Sequence, residues 1–115
     1  MNDFVQFTDD MTSQSKSGKR LDNKSIILTG AAGSIGRFIT RQLLCEGARV
    51  MMTGRDISKL EEFVDSLCDD GFDRENMVVT VGDCADPEVC RRIVADTVEA
   101  FGTIDVLVNN AGAAG

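Results

Sequence analysis

Thr29-Gly30-Ala31-Ala32-Gly33-Ser34-Ile35-Gly36 lies between a short apolar run and a longer stretch whose apolar residues recur at helical spacing. Before it, Ser25-Ile26-Ile27-Leu28-Thr29 has the β-branched, apolar character of a strand buried on both faces. After it, Ile35, Phe38, Ile39, Leu43 and Leu44 form a helical stripe, and Gly47 stands where a helix stops. The stretch reads as strand, glycine turn and helix. Each glycine meets a separate need there: Gly30 permits the tight exit from the strand, Gly33 lets an anion approach the backbone, and Gly36 allows the helix to pack closely on the strand. Free N–H groups of the helix's first turn face the same place, and Ser34 adds a hydroxyl donor. A tight turn with no ligand can also need three glycines. The flanking buried strand and amphipathic helix are what point to a dinucleotide.

Downstream the pattern repeats. Val50 to Thr53 reads as a strand, Gly54-Arg55-Asp56 as a turn, and Ile57, Leu60, Phe63, Val64 and Leu67 as a helical stripe ending at Gly71. Met77 to Val81 is a third strand, followed by Gly82-Asp83-Cys84-Ala85. Asp86 then caps a helix with Pro87 in its first turn, Val89, Cys90, Ile93, Val94, Val98 and Phe101 on its buried face, and Gly102 as its stop. Ile104 to Val108 is a fourth strand running into Asn109-Asn110-Ala111-Gly112. Strands separated by helices of this length make parallel βαβ units. The expected fold is therefore α/β, a Rossmann-type doubly wound sheet of four strands and three helices with spatial order 3-2-1-4. Its ligand crevice should open at the carboxyl ends of strands 1 and 4, where the order reverses.

The 115 residues leave room for one small domain. Residues 1–23 read as a flexible polar leader and 24–115 as a partial nucleotide-binding domain. Residues 1–24 hold four acids and four bases, and the remainder holds fifteen acids against eight bases, for a net charge of -7. An acidic domain without clustered Lys and Arg argues against a nucleic-acid partner. No apolar run approaches the ~20 residues that span a bilayer, and the N-terminus lacks the apolar core of a signal peptide, so a cytoplasmic protein is expected. Four cysteines with no Cys-x-x-Cys pair and no histidine give no metal site. Cys45, Cys68 and Cys90 fall on helical apolar stripes and are expected to be small buried hydrophobes.

Together, Thr29 to Gly36, Asp83 and Asn109-Asn110-Ala111-Gly112 resemble the short-chain dehydrogenase/reductase superfamily over residues 24–112. Its pattern is a Thr-Gly-x-x-x-Gly-x-Gly loop, an Asp after strand 3 and Asn-Asn-Ala-Gly after strand 4. Here the middle glycine is Gly33, one place early, with Ser34 at the usual glycine position. That spacing matches the family's extended branch, whereas Asn-Asn-Ala-Gly is a classical signature, and the classical branch is taken. The resemblance implies a nicotinamide dinucleotide held by Thr29, Gly30, Gly33, Ser34, Ile35 and Gly36. It implies that Asp83 and the Cys84 backbone meet the adenine, and that Asn109, Ala111 and Gly112 lie along the ribose and nicotinamide side. Asp83 also reads as a plain turn former. After strand 2, where NAD-specific relatives carry an acid, this chain has Gly54 and then Arg55, whose guanidinium suits a 2′-phosphate, so NADP(H) is expected over NAD(H). Asp56 competes for that role if the turn is shifted.

The family's chemistry uses Tyr-x-x-x-Lys, an upstream Ser and a helix Asn, and this sequence contains no tyrosine. The reading that follows is the nucleotide-binding N-terminal part of a carbonyl or alcohol oxidoreductase, inactive alone, with substrate and homo-oligomer partners only in a full-length form. A stand-alone binding or regulatory module is the alternative, and another Rossmann-type protein such as a methyltransferase comes third, since that class wants an acid after strand 2. Truncation is favoured over module because strand 4 would be left with an apolar, unpaired edge.

Overall fold

The computed structural model describes residues 20–111. In order the elements are β1 (Ser25–Thr29), α1 (Ser34–Cys45), β2 (Arg49–Gly54), α2 (Ile57–Asp69), a 3-10 turn (Arg74–Asn76), β3 (Met77–Val81), α3 (Pro87–Phe101) and β4 (Val106–Val108). All strand pairs are parallel and the sheet order is β3-β2-β1-β4, as the alternation of elements requires. Each crossover is a helix, which buries the sheet on two sides and explains why β1 is buried at every residue.

Side-chain alternation along the strands divides the core in two. Ile26, Leu28, Val50 and Met52 face α1 and α2, packing on Leu43, Leu60, Phe63 and Leu67. Ile27 and Met51 face the other way, onto Val89, Ile93 and Phe101 of α3. Local chemistry sets the helix ends. Asp56 accepts from the Lys59 N–H at 3.2 Å to cap α2, and Asp86 accepts from the Glu88 N–H at 2.9 Å to cap α3. Gly102 closes α3 by donating to the Val98 carbonyl at 2.7 Å.

Several side chains sit differently from the expected stripes. On α3 the buried line is Val89, Ile93, Thr97 and Phe101, while Val94 and Val98 are about half exposed and Cys90 is exposed. A helix lying on a sheet buries one i, i+4 row, and Thr97 holds its place there by donating its hydroxyl to the Ile93 carbonyl at 2.6 Å. Thr40 does the same in α1, to the Gly36 carbonyl at 2.8 Å, whereas Ile35 and Phe38 are exposed. Cys45 is also exposed and Cys68 half-buried, so only Cys68 comes near the expected buried role.

At the start of β1 the polypeptide is ordered earlier than composition indicated. Arg20 to Asn23, assigned above to the leader, form a turn against the α1–β2 connection: the Leu21 N–H donates to the Glu46 carbonyl at 2.8 Å and the Asn23 N–H to the Gly47 carbonyl at 3.1 Å. The Glu46 side chain is fully buried and accepts from the Arg20 N–H at 2.9 Å. Residues 1–19 of the expected leader lie outside the described residues.

Candidate functional site

The carboxyl ends of β1, β2 and β3 and the turn after β4 surround a crevice of about 440 Å³, within the range of small-molecule sites. Its position follows from the topology: β2 and β3 lie to one side of β1 and β4 to the other, so the connections leaving β1 and β4 diverge. Thr29, Gly30, Gly33, Ser34 and Ile35 line it from the first turn, Arg55 from the second, Asp83 and Cys84 from the third, and Ala111 from the fourth. Nine of the twelve residues singled out in the sequence are thereby brought together.

Of the three glycines of the first turn, two answer to the protein's own geometry. Gly30 has φ +67, and a Cβ on it would press to 3.2 Å from the Ala111 Cα, so both backbone conformation and the approach of the fourth turn demand glycine. Gly36 does not line the crevice. A Cβ there would collide with the Gly30 carbonyl oxygen and come within 2.9 Å of the Ala31 backbone, which places α1 directly against the turn. At Gly33 the nearest atom to an added Cβ is the Gly30 carbonyl oxygen at an ordinary 3.5 Å, so the protein's own packing makes no demand for glycine.

Among the described helices, α1 also differs from the other two at its N-terminus. Its cap residue is Gly33 and no side chain accepts from its first-turn N–H groups, although Gly33, Ser34 and Ile35 border the crevice. Arg37 steadies this turn from behind, donating through Nε to the Ala32 carbonyl at 2.9 Å with its guanidinium 5.0 Å from the Phe63 ring centre.

Thr29 joins the first turn to the fourth. Its Oγ1 accepts from the Asn110 and Ala111 N–H groups, each at 2.9 Å, and donates to Asn109 Oδ1 at 3.1 Å. The Asn110 amide adds a bond to the Gly30 carbonyl at 3.2 Å. Asn109, expected along the crevice, is not among the lining residues, its Oδ1 accepting from Thr29, and Gly112 lies outside the described residues. Asp83 has its turn-forming role as well as its place in the crevice, since Oδ1 accepts from the Ala85 N–H at 2.9 Å.

Arg55 has no hydrogen bond or ion pair among the described residues, and Asp56, the alternative at this turn, does not line the crevice because it caps α2. Thr53, Gly54, Gly82, Ala85 and Asn110 complete the lining. None carries distinctive chemistry, and the signal for them was positional, each being at or just beyond a strand's carboxyl end. Gly82 has φ +153 and a Cβ on it would meet the Val89 side chain at 2.7 Å, so this corner too is closed to any other residue without displacement.

Among the described residues no helix is long and apolar enough to cross a membrane. Known proteins share both sequence and architecture with the chain. The family model for short chain dehydrogenase matches residues 24–115. 11-beta-hydroxysteroid dehydrogenase 1A of Arabidopsis thaliana is 38% identical over 94 residues, covering 82% of this chain and 26% of that protein. The apo crystal structure of glucose dehydrogenase of Caenorhabditis elegans superposes with a TM-score of 0.76 at 34% identity, over 79% of this chain and 38% of that one. The N-domain of a bacterial malonyl-CoA reductase, crystallised with NADP, gives a TM-score of 0.74 at 38% identity, over 81% of this chain and 17% of that one. The chain spans about a quarter to a third of the length of the curated relatives it matches. With the glycine turn, the 3-2-1-4 parallel sheet and the Asn109-Asn110-Ala111 turn in place and the family model matching residues 24–115, the chain belongs to the short-chain dehydrogenase family, as its N-terminal, nucleotide-fold portion.

Proposed function

We propose that this chain is the dinucleotide-binding portion of a short-chain oxidoreductase acting on carbonyl or alcohol substrates, and that it takes NADP(H) in preference to NAD(H). The observation that carries the reading is the Gly33 turn. A glycine that packing does not require, at the head of the one described helix without a capping side chain, borders a crevice of about 440 Å³. A pyrophosphate supplies what is missing there, an anion to accept from the first-turn N–H groups of Ser34, Ile35 and Gly36. The preference for the phosphorylated cofactor rests on Arg55, which lines the crevice without a partner among the described residues, while Asp56 is committed to α2. A guanidinium grips a 2′-phosphate bidentately, and the carboxylate of that turn, Asp56, is outside the crevice lining, held on the Lys59 N–H. Asp83 and Cys84 are assigned to the adenine, and Thr29 and Asn109 to holding the Ala111 side of the crevice in place.

When bound, such a cofactor supplies or accepts hydride. The residues of this chain bind and orient it, and the proton transfer that accompanies hydride transfer is assigned to residues outside this sequence, which has no tyrosine. Two substitutions test the proposal. Arg55→Ala is expected to weaken NADPH binding about tenfold or more and leave NADH affinity within about twofold, as read by fluorescence titration of both cofactors. An unchanged NADPH affinity would falsify the cofactor preference. Gly33→Ala is expected to keep the unfolding midpoint of the parent chain and lower affinity for both cofactors at least about tenfold. If it unfolds the domain, Gly33 serves packing, and if it binds both cofactors normally, the turn does not hold the phosphates.

A further inference from the structure

Two of the four cysteines meet at the adenine-side wall of the crevice. Cys84 lines it, in the turn between β3 and α3. Cys90 is exposed one turn into α3, and its thiol sulfur lies 2.9 Å from the Cys84 carbonyl oxygen. Backbone geometry puts a residue's Cα about 2.4 Å from its own carbonyl oxygen, so the Cys90 sulfur is within about 5 Å of the Cys84 Cα, and the two Cα atoms are within about 8 Å. Disulfide-linked Cα atoms usually stand about 5.5–6 Å apart. At that upper bound at most ~2 Å is left to close, and the closure falls to a four-residue turn, held by the Asp86 N–H to Asp83 carbonyl bond at 2.9 Å, and not to a strand or helix.

We propose that Cys84 and Cys90 form a thiol-oxidation site, joined by a reversible intramolecular disulfide when the protein meets a small-molecule disulfide such as oxidised glutathione. The accessible Cys90 thiolate attacks one sulfur of the oxidant, forming a mixed disulfide and expelling one glutathione thiolate. The Cys84 thiolate then attacks the Cys90 sulfur and expels the second. Two protein thiols are oxidised, one disulfide is reduced to two thiols, and the two protein protons pass to the leaving thiolates. Closing the bridge draws the turn toward α3. Asp83, Cys84 and Ala85 all line the crevice, so its wall deforms on the side assigned to adenine. The bridge itself stands on the thiol geometry alone, whereas its effect on dinucleotide binding rests on the proposed function.

The test treats the full chain with oxidised glutathione and digests it without reduction. Trypsin cutting after Arg74 and Arg91 leaves both cysteines in the segment 75–91. That segment is expected to lose two hydrogens, and cleavage after Glu88 should leave its two halves linked. NADPH affinity should fall at least tenfold and return on reduction with dithiothreitol. Cys90→Ser, a change at an exposed position, should form no such bridge and keep its affinity in the oxidant. Glutathione adducts without the 84–90 bridge, or bridges through Cys45 or Cys68 instead, sink the proposal. A bridge that leaves NADPH affinity unchanged removes the coupling to the crevice. If the bridge forms and the reduced protein does not bind NADPH, the thiol site stands and the cofactor reading fails.

Discussion

Gly36→Ala is expected to destabilise the domain by about 3 kcal/mol or more, seen as a fall of roughly 12 °C or more in melting temperature for a domain of this size. Two effects oppose each other at this position. Alanine is the better helix former, by about 1 kcal/mol in a helix interior, so propensity alone raises stability. The added methyl, however, overlaps the Gly30 carbonyl oxygen and two atoms of the Ala31 backbone. These atoms belong to rigid main chain, and no flexible side chain is there to yield. Relief requires α1 to lift off the turn, which loosens the packing of Ile39 and Leu43 on β1 and β2. Sterics should therefore win. Urea melts of Gly36→Ala and Gly33→Ala side by side check this, because the same methyl three residues earlier meets no close neighbour. Equal stability of the two variants, or a gain at Gly36, would mean that the close packing of α1 on the turn has been misread.

Thr29→Val is expected to cost about 2–3 kcal/mol, although the two side chains have almost the same shape. Valine fills the same space against β2 and the Asn109 turn but leaves the N–H groups of Asn110 and Ala111 with no acceptor and Asn109 Oδ1 with no donor. Each orphaned, partly buried N–H costs about 1–3 kcal/mol, with water able to reclaim part of that at the crevice side. Thr29→Ser keeps the hydroxyl and should lose no more than about 1 kcal/mol. Amide hydrogen exchange separates a local effect from a global one. In Thr29→Val the Asn110 and Ala111 N–H groups should exchange faster than the loss of global stability accounts for, and in Thr29→Ser they should not. Protection unchanged in the valine variant would show that the clasp does not hold the fourth turn.

Much of this architecture was written in local sequence. β1 and β3 begin and end where their apolar runs do, Asp86-Pro87 starts α3, and Gly102 stops it. The strand order followed from alternation, because a helical crossover leaves a parallel sheet few arrangements. Burial within the helices was less legible. Thr40 and Thr97 read as polar, yet each satisfies its hydroxyl on the carbonyl four residues back and so enters the core, while Phe38, Val94 and Val98 flank the buried rows. Glu46 is the extreme case. No composition rule places a carboxylate in the interior, and it is buried because the turn at Arg20 to Asn23 folds over it, a contact 26 residues distant in sequence.

In the crevice, residues with special chemistry or a special backbone were readable, and residues that matter by location were not. Arg55 and Asp83 announce themselves, whereas Thr53 and Ala85 are defined only by the strand ends that carry them. Asn109 marks a subtler limit. Its place in the motif was legible, but its engagement with Thr29 needed the two turns to be brought face to face.

The pairing of β1 with β4 bears on the order in which the molecule assembles. At one end the Asp105 N–H donates to the Ser25 carbonyl at 2.8 Å while the Ser25 N–H donates back to Asp105 Oδ2 at 2.8 Å, and at the other Thr29 receives Asn110 and Ala111. These partners are 80 to 82 residues apart, whereas β1 with β2 and β2 with β3 are each separated by a single helical crossover. Contacts of such sequence separation form late, after the entropy of closing the intervening chain has been offset by nearer ones. On the ribosome, β1, β2 and β3 emerge and can pair while Asp105 is still unsynthesised. The crevice is then the last part of this four-stranded arrangement to come into being, and a nascent chain acquires it only when β4 docks beside β1.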